Sequence, residues 1–241
     1  GFMECKPYFN YCQIVRTPLE ITGTASNTTF RTGPKYQELL QDTTKMHMEQ
    51  LERAFLFGKR ELITGANGQS ERMTAGIISQ LTTNVLDVGV ATNPGVLTEK
   101  DFDTFLAQYV FAYGASKEKL ALCGWQVAQN LHEIAKDRWV ITNAADRAYG
   151  IDVMQYRTGF GTLNVVTHPL FRQIDGMEKA MLVVDTQDVV YRFMKNRDTK
   201  LMTDRQNPGR DGKVDEFLTE AGLELLQEKT HAYITGWAAI A

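Results

Sequence analysis

Ile14-Val15-Arg16-Thr17-Pro18-Leu19-Glu20-Ile21-Thr22-Gly23-Thr24 is the stretch on which the fold turns. It lies in a polar, threonine-rich segment, residues 13–30, that reads as almost free of apolar periodicity and then feeds a long amphipathic run. Its β-branched residues suit extended backbone, yet a two-stranded hairpin alone is marginal in water. The segment is therefore expected to be an extended arm buried on another subunit. An arm, a spine helix and a compact mixed domain form the layout of a lattice-building protein.

Immediately downstream, Gly33-Pro34 precedes Tyr36, Leu39, Leu40, Thr43, Met46, Leu51, Ala54, Phe55 and Phe57, and Gly58 closes the run. Proline at the start, a broad stripe at helical spacing and glycine at the end predict a helix of about 22 residues, near 33 Å long. Glu38, Asp42, Lys45, Glu49, Glu52 and Arg53 occupy the remaining surface, so one face is expected on a sheet and the other toward solvent or neighbours. Thr64-Gly65-Ala66-Asn67-Gly68-Gln69-Ser70 is a turn-forming loop. It lacks the Gly-Lys-Ser/Thr and G-x-G-x-x-G signatures of a phosphate cradle.

A second helix is predicted from the N-cap Thr98, with Glu99 and Asp101 in its first turn and Phe102, Phe105, Leu106, Tyr109, Val110 and Tyr113 as a core stripe before Gly114. Residues 119–124 read as a short strand and residues 125–136 as a helix with Val127, Ala128, Leu131 and Ile134 inward. Residues 151–157 and 161–167 look like a hairpin turning at Thr158-Gly159-Phe160, and residues 181–185 and 189–194 supply two more strands. Residues 217–227 fit a helix face or a strand, with Gly222 weakening the helix. Residues 196–213 carry five basic residues against three acidic, and residues 215–228 carry five acidic and none basic. Adjacent blocks of this kind are either solvated surface or contacts across subunits.

Composition narrows the function. With 241 residues and 43% hydrophobic content the chain has material for a core, and 26 basic against 29 acidic residues give a net charge of −3. That balance argues against a dedicated nucleic-acid binder with a broad basic face. No apolar run approaches the roughly 18 to 20 residues of a membrane span. The chain opens at Gly1 with no apolar leader or cleavage signature, which makes a cytosolic origin the expectation. In that setting the sequon Asn27-Thr28-Thr29 carries no meaning.

Catalytic patterns are missing. Cys5, Cys12 and Cys123 have no C-x-x-C spacing and read as reduced structural thiols. His47, His132, His168 and His231 lie in four different elements, none at i,i+4 with another, so no zinc hydrolase is supported. His47 and Glu49 form an H-x-E pair without the P-C-x-x-C partner of a deaminase. No G-x-S-x-G elbow occurs, and the carboxylate pairs Asp146/Asp152 and Asp101/Asp103 sit where caps and turns are expected. No catalytic, cofactor-binding or metal-binding residue is assigned.

The order of these segments resembles the major capsid proteins of tailed bacteriophages with the Hong Kong ninety-seven-type fold. Residues 13–24 look like the returning strand of the extended E-loop, with its Ser/Thr-Gly-Thr ending before the spine helix. Leu97-Thr98-Glu99-Lys100-Asp101-Phe102 resembles the start of the second peripheral-domain helix, and Gly159-Phe160-Gly161-Thr162-Leu163-Asn164-Val165-Val166 is similar to the axial-domain strand written Gly-x-Leu-x-Val-Val. Leu225-Leu226-Gln227-Glu228-Lys229-Thr230-His231-Ala232-Tyr233-Ile234 looks like the closing strands of one phage capsid group, where Glu-Lys-Ala-His is common, with Thr230 departing. The resemblance implies an α+β fold with an N-terminal segment and E-loop return strand over 1–34, a peripheral domain over 35–114 and 189–241, and an axial domain over 115–188. It also favours strand for 217–227. The function it implies is non-enzymatic: self-assembly as hexamers and pentamers into an icosahedral head around double-stranded DNA held by non-specific contact. Portal, scaffold or decoration proteins would be further partners, with the virion as destination after assembly in the host cytoplasm and no cofactor. Two alternatives remain, an encapsulin-type nanocompartment shell and a cytosolic enzyme or binding protein with an oligomerisation arm.

Overall fold

The computed structural model describes residues 8–31, 33–90, 95–114, 116–134, 139–141 and 154–240. In chain order they form β1 (Gln13–Ile21), a one-turn helix α1 (Gly23–Asn27), α2 (Lys35–Phe57), β2 (Glu61–Thr64), β3 (Ser70–Met73) and the short α3 (Ile77–Gln80). Next come β4 (Val85–Asp87), β5 (Val96–Leu97), α4 (Glu99–Phe105), β6 (Glu118–Cys123), α5 (Trp125–Ile134) and β7 (Trp139–Ile141). The remainder is β8 (Met154–Arg157), β9 (Thr162–Thr167), α6 (Pro169–Gln173), β10 (Met181–Val184), β11 (Val189–Phe193), β12 (Lys200–Met202), β13 (Lys213–Leu225), β14 (Ala232–Thr235) and β15 (Ala239–Ile240).

The chain divides into two compact units, 1–79 with 191–224 and 80–190 with 225–241. Residues 80–114 and 225–241 are thus packed with 115–190, whereas the resemblance groups them with the spine helix.

In the first unit a sheet ordered β1-β13-β11, with β12 also on β13, lies against α2. β1 pairs antiparallel with β13 from Gln13 opposite Ala221 to Ile21 opposite Lys213. Burial alternates along β1, with Thr17, Leu19 and Ile21 buried and Arg16, Pro18 and Glu20 exposed. This corrects the arm expectation. The strand does have period two, and it is buried on its own chain rather than on a neighbour. Pro18 fits because β1 is an edge strand and loses no ladder bond inward. Residues 23–27 are helical, with the N-cap Thr22 side chain accepting from Ala25 N–H, so the strand ends at Ile21.

α2 spans 23 residues, and its C-terminus closes with Gly58 N–H on the Ala54 carbonyl. Its inward stripe runs through Thr43, His47, Leu51 and Leu56, while Met46, expected inward, is exposed. The i,i+4 row through His47 outcompetes Met46, which sits 100° away on the helix. β13 is a 13-residue strand, as the resemblance favoured for 217–227.

The second unit holds a mixed sheet ordered β4-β14-β10-β6-β9-β8-β7. β8 and β9 pair antiparallel, with Thr158 N–H bonding the Gly161 carbonyl at the turn, as expected of that hairpin. β10 and β11 are both strands, but they belong to different sheets. Thr98 caps α4 by accepting from Asp101 N–H, and Phe102 packs between Tyr156 and Trp237 at ring distances of 5.6 and 5.2 Å. The predicted stripe then changes phase. Residues Leu106–Val110 form a π-helical turn closed by Phe111 N–H on the Leu106 carbonyl. The extra residue of that turn keeps Leu106 and Val110 inside and turns Tyr109 and Tyr113 out, against expectation.

Candidate assembly surface

β2 and β3 form a two-stranded hairpin with register Glu61 opposite Met73, Leu62 opposite Arg72, Ile63 opposite Glu71 and Thr64 opposite Ser70. The turn is closed by Gly65 N–H on the Gln69 carbonyl and by Gly68 N–H on the Gly65 carbonyl, with Gly68 in the left-handed region at φ 74°. Every residue of the hairpin strands except Met73 is exposed, including Leu62 at 55% and Ile63 at 41%. The physical argument made for the arm applies here instead, since a hairpin without a packed face is marginal on its own.

Its base is held firmly. Gly76 N–H bonds the Gly58 carbonyl at 2.8 Å, and a Cβ on Gly76 would lie 2.7 Å from Gly58 N and the Leu56 carbonyl, so only glycine allows this approach. Asn10 bridges the base to β13, its amide donating to the Ala75 and Leu223 carbonyls while its oxygen accepts from Ala75 N–H. Sequence reading placed the turn at residues 64–70 and missed the strands beside it. Four-residue strands with mixed faces carry no measurable period, and Leu62-Ile63 beside the glycine loop was the available signal.

The opposite edge of the first unit's sheet carries a second uncovered surface. Phe55, Tyr191 and Phe193 form an aromatic row with ring distances of 5.8 Å at each step. Tyr191 and Phe193 are exposed, and Tyr191 hydroxyl donates to Asp198 Oδ1. Burial of part of the ring and the Asp198 charge push the Tyr191 hydroxyl up to about 12.

The opposite-sign blocks meet within the chain. Glu216 binds Arg16 and, at 3.9 Å, Arg205; Glu220 binds Arg197, Glu224 binds Arg192, and Asp215 takes Lys213 at 3.1 Å. The Arg16 hydrogen bond and charge hold the Glu216 carboxyl below its usual range. The alternation of β13 puts its glutamates on one face, where the neighbouring strands and loops supply arginine.

The histidines are structural in two cases. His47 is fully buried between α2, β1 and β13, with Nδ1 2.9 Å from Thr17 Oγ1 and Nε2 2.7 Å from Thr219 Oγ1. Thr17 Oγ1 also donates to Gln50 Oε1 and Thr219 Oγ1 lies 2.8 Å from Thr199 Oγ1, so a neutral ring protonated at Nδ1 completes one donor-to-acceptor chain. Burial lowers the His47 pKa. His231 is likewise buried, accepting from Asp185 N–H at Nδ1, and burial lowers its pKa. Beside it Lys119 donates to Asp185 at 2.7 Å and to the Thr230 carbonyl. Burial raises the Asp185 carboxyl, but bonds from Lys119 and Gln187 N–H outweigh it and the net shift is downward. His168 caps α6 by accepting from Leu170 N–H, and His132 lies on α5.

The closing motif is explained by the same region. Glu228 accepts from the backbone N–H groups of Thr82 and Thr83 and from both hydroxyls, and Thr230 hydroxyl donates to Asp188 Oδ2 at 2.8 Å. Cys12 and Cys123 are free thiols, and burial pushes Cys123 up to about 12. Cys5, Asp146 and Asp152 lie outside the described residues, and Asp101 and Asp103 sit in the first turns of α4. Among the described residues no group of three His, Cys, Asp or Glu side chains is placed to hold a metal, and no helix is long and apolar enough to cross a membrane.

A model of the SU10 major capsid protein family matches residues 6–238. The chain belongs to that family. A major capsid protein is a structural shell component of the virion, which is the role this membership gives the chain. Solved structures agree on the fold. The SrpI encapsulin of Synechococcus elongatus PCC 7942 superposes with a TM-score of 0.64 at 12% identity, covering 93% of this chain and 74% of that one. The capsid of Myoviridae phage XM1 gives 0.56 at 11% identity, covering 93% and 73%. A structure from Mycobacterium phage Patience gives 0.55 at 12% identity, covering 100% and 76%. These likenesses establish the Hong Kong ninety-seven-type capsid fold expected from the sequence. No curated protein sequence matches the chain.

Proposed function

We propose that this major capsid protein assembles as hexamers and pentamers into an icosahedral head around double-stranded DNA, acting by self-association without catalysis. The observation that carries the reading is the family match over residues 6–238. Residues 35–114 and 189–241 then act as the peripheral domain and 115–188 as the axial domain. Within residues 1–34, β1 is the strand by which an E-loop returns to its own sheet. Assembly takes place in the host cytoplasm, portal, scaffold or decoration proteins join the shell, and DNA is held by non-specific contact. The net charge of −3 supports that last point, because a broad basic face is not available to grip DNA.

An encapsulin-type compartment is the second reading, favoured by the fold-level likeness to the SrpI shell. Electron microscopy of the purified protein tests the lattice: closed shells are expected, and a monodisperse small oligomer would overturn it. Nuclease-protected double-stranded DNA in particles from infected cells supports the head, whereas a packaged enzyme without DNA supports the compartment.

A further inference from the structure

Asn67-Gly68 is the one asparagine-glycine step in the chain, and it sits at the tip of the β2–β3 hairpin. The loop around it is exposed from Ala66 to Ser70. Gly68 stands in the left-handed region at φ 74°, and a Cβ built there would meet nothing within 4 Å. Its backbone nitrogen is therefore shielded neither by a side chain of its own nor by a neighbouring element. Attack of that nitrogen on the Asn67 side-chain carbon Cγ closes a five-membered imide.

One hydrogen bond opposes the reaction. Gly68 N–H donates to the Gly65 carbonyl at 2.9 Å, which holds the proton that must leave before the nitrogen can attack. A second bond, Gly65 N–H on the Gln69 carbonyl at 2.7 Å, keeps the turn closed. Both belong to a hairpin whose strands have four residues each and are exposed except at Met73, so local opening costs little.

We propose that Asn67 is a site of spontaneous deamidation gated by opening of this hairpin. The Gly68 nitrogen loses its proton to hydroxide and bonds to Asn67 Cγ, and the Cγ–Nδ2 bond breaks with release of ammonia. Water then adds to either carbonyl of the imide. Opening at the side-chain carbonyl gives an ordinary aspartyl residue, and opening at the main-chain carbonyl gives an isoaspartyl residue whose backbone runs through the former side chain. Nothing is oxidised or reduced, and water is the one co-reactant. The two products act differently on the fold. Aspartate suits a turn as asparagine does and adds one negative charge to the net −3. The isoaspartyl residue lengthens the main chain by one carbon inside the turn, which spoils the closures between Gly65 and residues 68 and 69. The hairpin of an aged chain thus differs from that of a new one, whichever shell the protein builds.

The test incubates the full chain at neutral pH and in mild alkali, folded and in guanidinium chloride, against an unincubated control. It reads the tryptic peptide 61–72, in which Asn67 is the one asparagine. The peptide is expected to gain one mass unit and to split into two chromatographic forms, one of them a substrate of isoaspartyl methyltransferase. Conversion should be faster in alkali, and roughly tenfold slower in the folded chain than in the unfolded one, the margin given by a weakly closed hairpin. No conversion in the folded chain while the unfolded chain converts overturns the site in the native protein. Equal rates in the two overturn gating by the hairpin. Asn67→Gln, whose longer side chain needs a six-membered ring, should lose the mass gain, and a gain that persists at the parent rate overturns the assignment to Asn67.

Discussion

Thr230 departs from the Glu-Lys-Ala-His pattern that the sequence resembles, and its buried hydroxyl donates to Asp188 Oδ2. Thr230→Ala should therefore cost about 1 kcal/mol, read as a lower denaturant midpoint at unchanged slope, since one hydrogen bond is lost while Asp188 can still reach water. His47 makes a different prediction. Its folded pKa lies below the unfolded value near 6.5, so its contribution is fully present above about pH 6.5 and is lost as pH falls toward the folded pKa. His47→Gln should flatten the loss of stability between roughly pH 6.5 and 5 relative to the parent, measured by thermal melts across that range. The remaining slope there would come from His231, whose pKa is lowered in the same direction. Neither histidine was assigned a task from sequence. Thr43-His47-Leu51 at i,i+4 was the visible hint for His47, but its partners Thr17 and Thr219 are 30 and 172 residues away.

At the scale of elements, the sequence was most legible where one helix or hairpin carries its own signal. The Thr98 cap, the ends of α2 and the glycine turn before β9 are local chemistry, and all three formed as expected. β1 was misread because Thr17 interrupts an otherwise apolar inward set of Val15, Leu19 and Ile21, so the period of two was hidden behind a hydroxyl that pairs with His47. Deleting residues 14–21 should consequently unfold the first unit, because Leu19 and Ile21 alone each bury side chains worth about 1.5 to 3 kcal/mol. Limited proteolysis of the deleted chain should show residues 35–79 and 191–224 cut while fragments of 154–190 persist. Gly76→Ala should shift the hairpin base and lower stability by more than 1 kcal/mol, seen as an earlier melt, since backbone atoms of Leu56 and Gly58 stand where the methyl must go.

At the scale of the molecule, the acidic run of β13 is neutralised by arginines from elsewhere in the chain, and such pairs are partly exposed. Exposed pairs contribute little each and are screened by salt. Raising salt to about 1 M should thus leave the melting temperature of the isolated subunit within a few degrees of its low-salt value, as calorimetry would read. The charge blocks were plain in the sequence, but which block meets which depended on strand order, which no local pattern encodes.

That strand order also sets a timetable. Asn10, at the start of the described chain, donates to the Leu223 carbonyl 213 residues later. On a ribosome adding about 5 to 20 residues per second, β1 and the inner stripe of α2 wait roughly ten to forty seconds for the strand that covers them. A nascent subunit is thereby barred from meeting its neighbours through a finished sheet until β13 has emerged, and lattice growth is confined to chains translated at least that far.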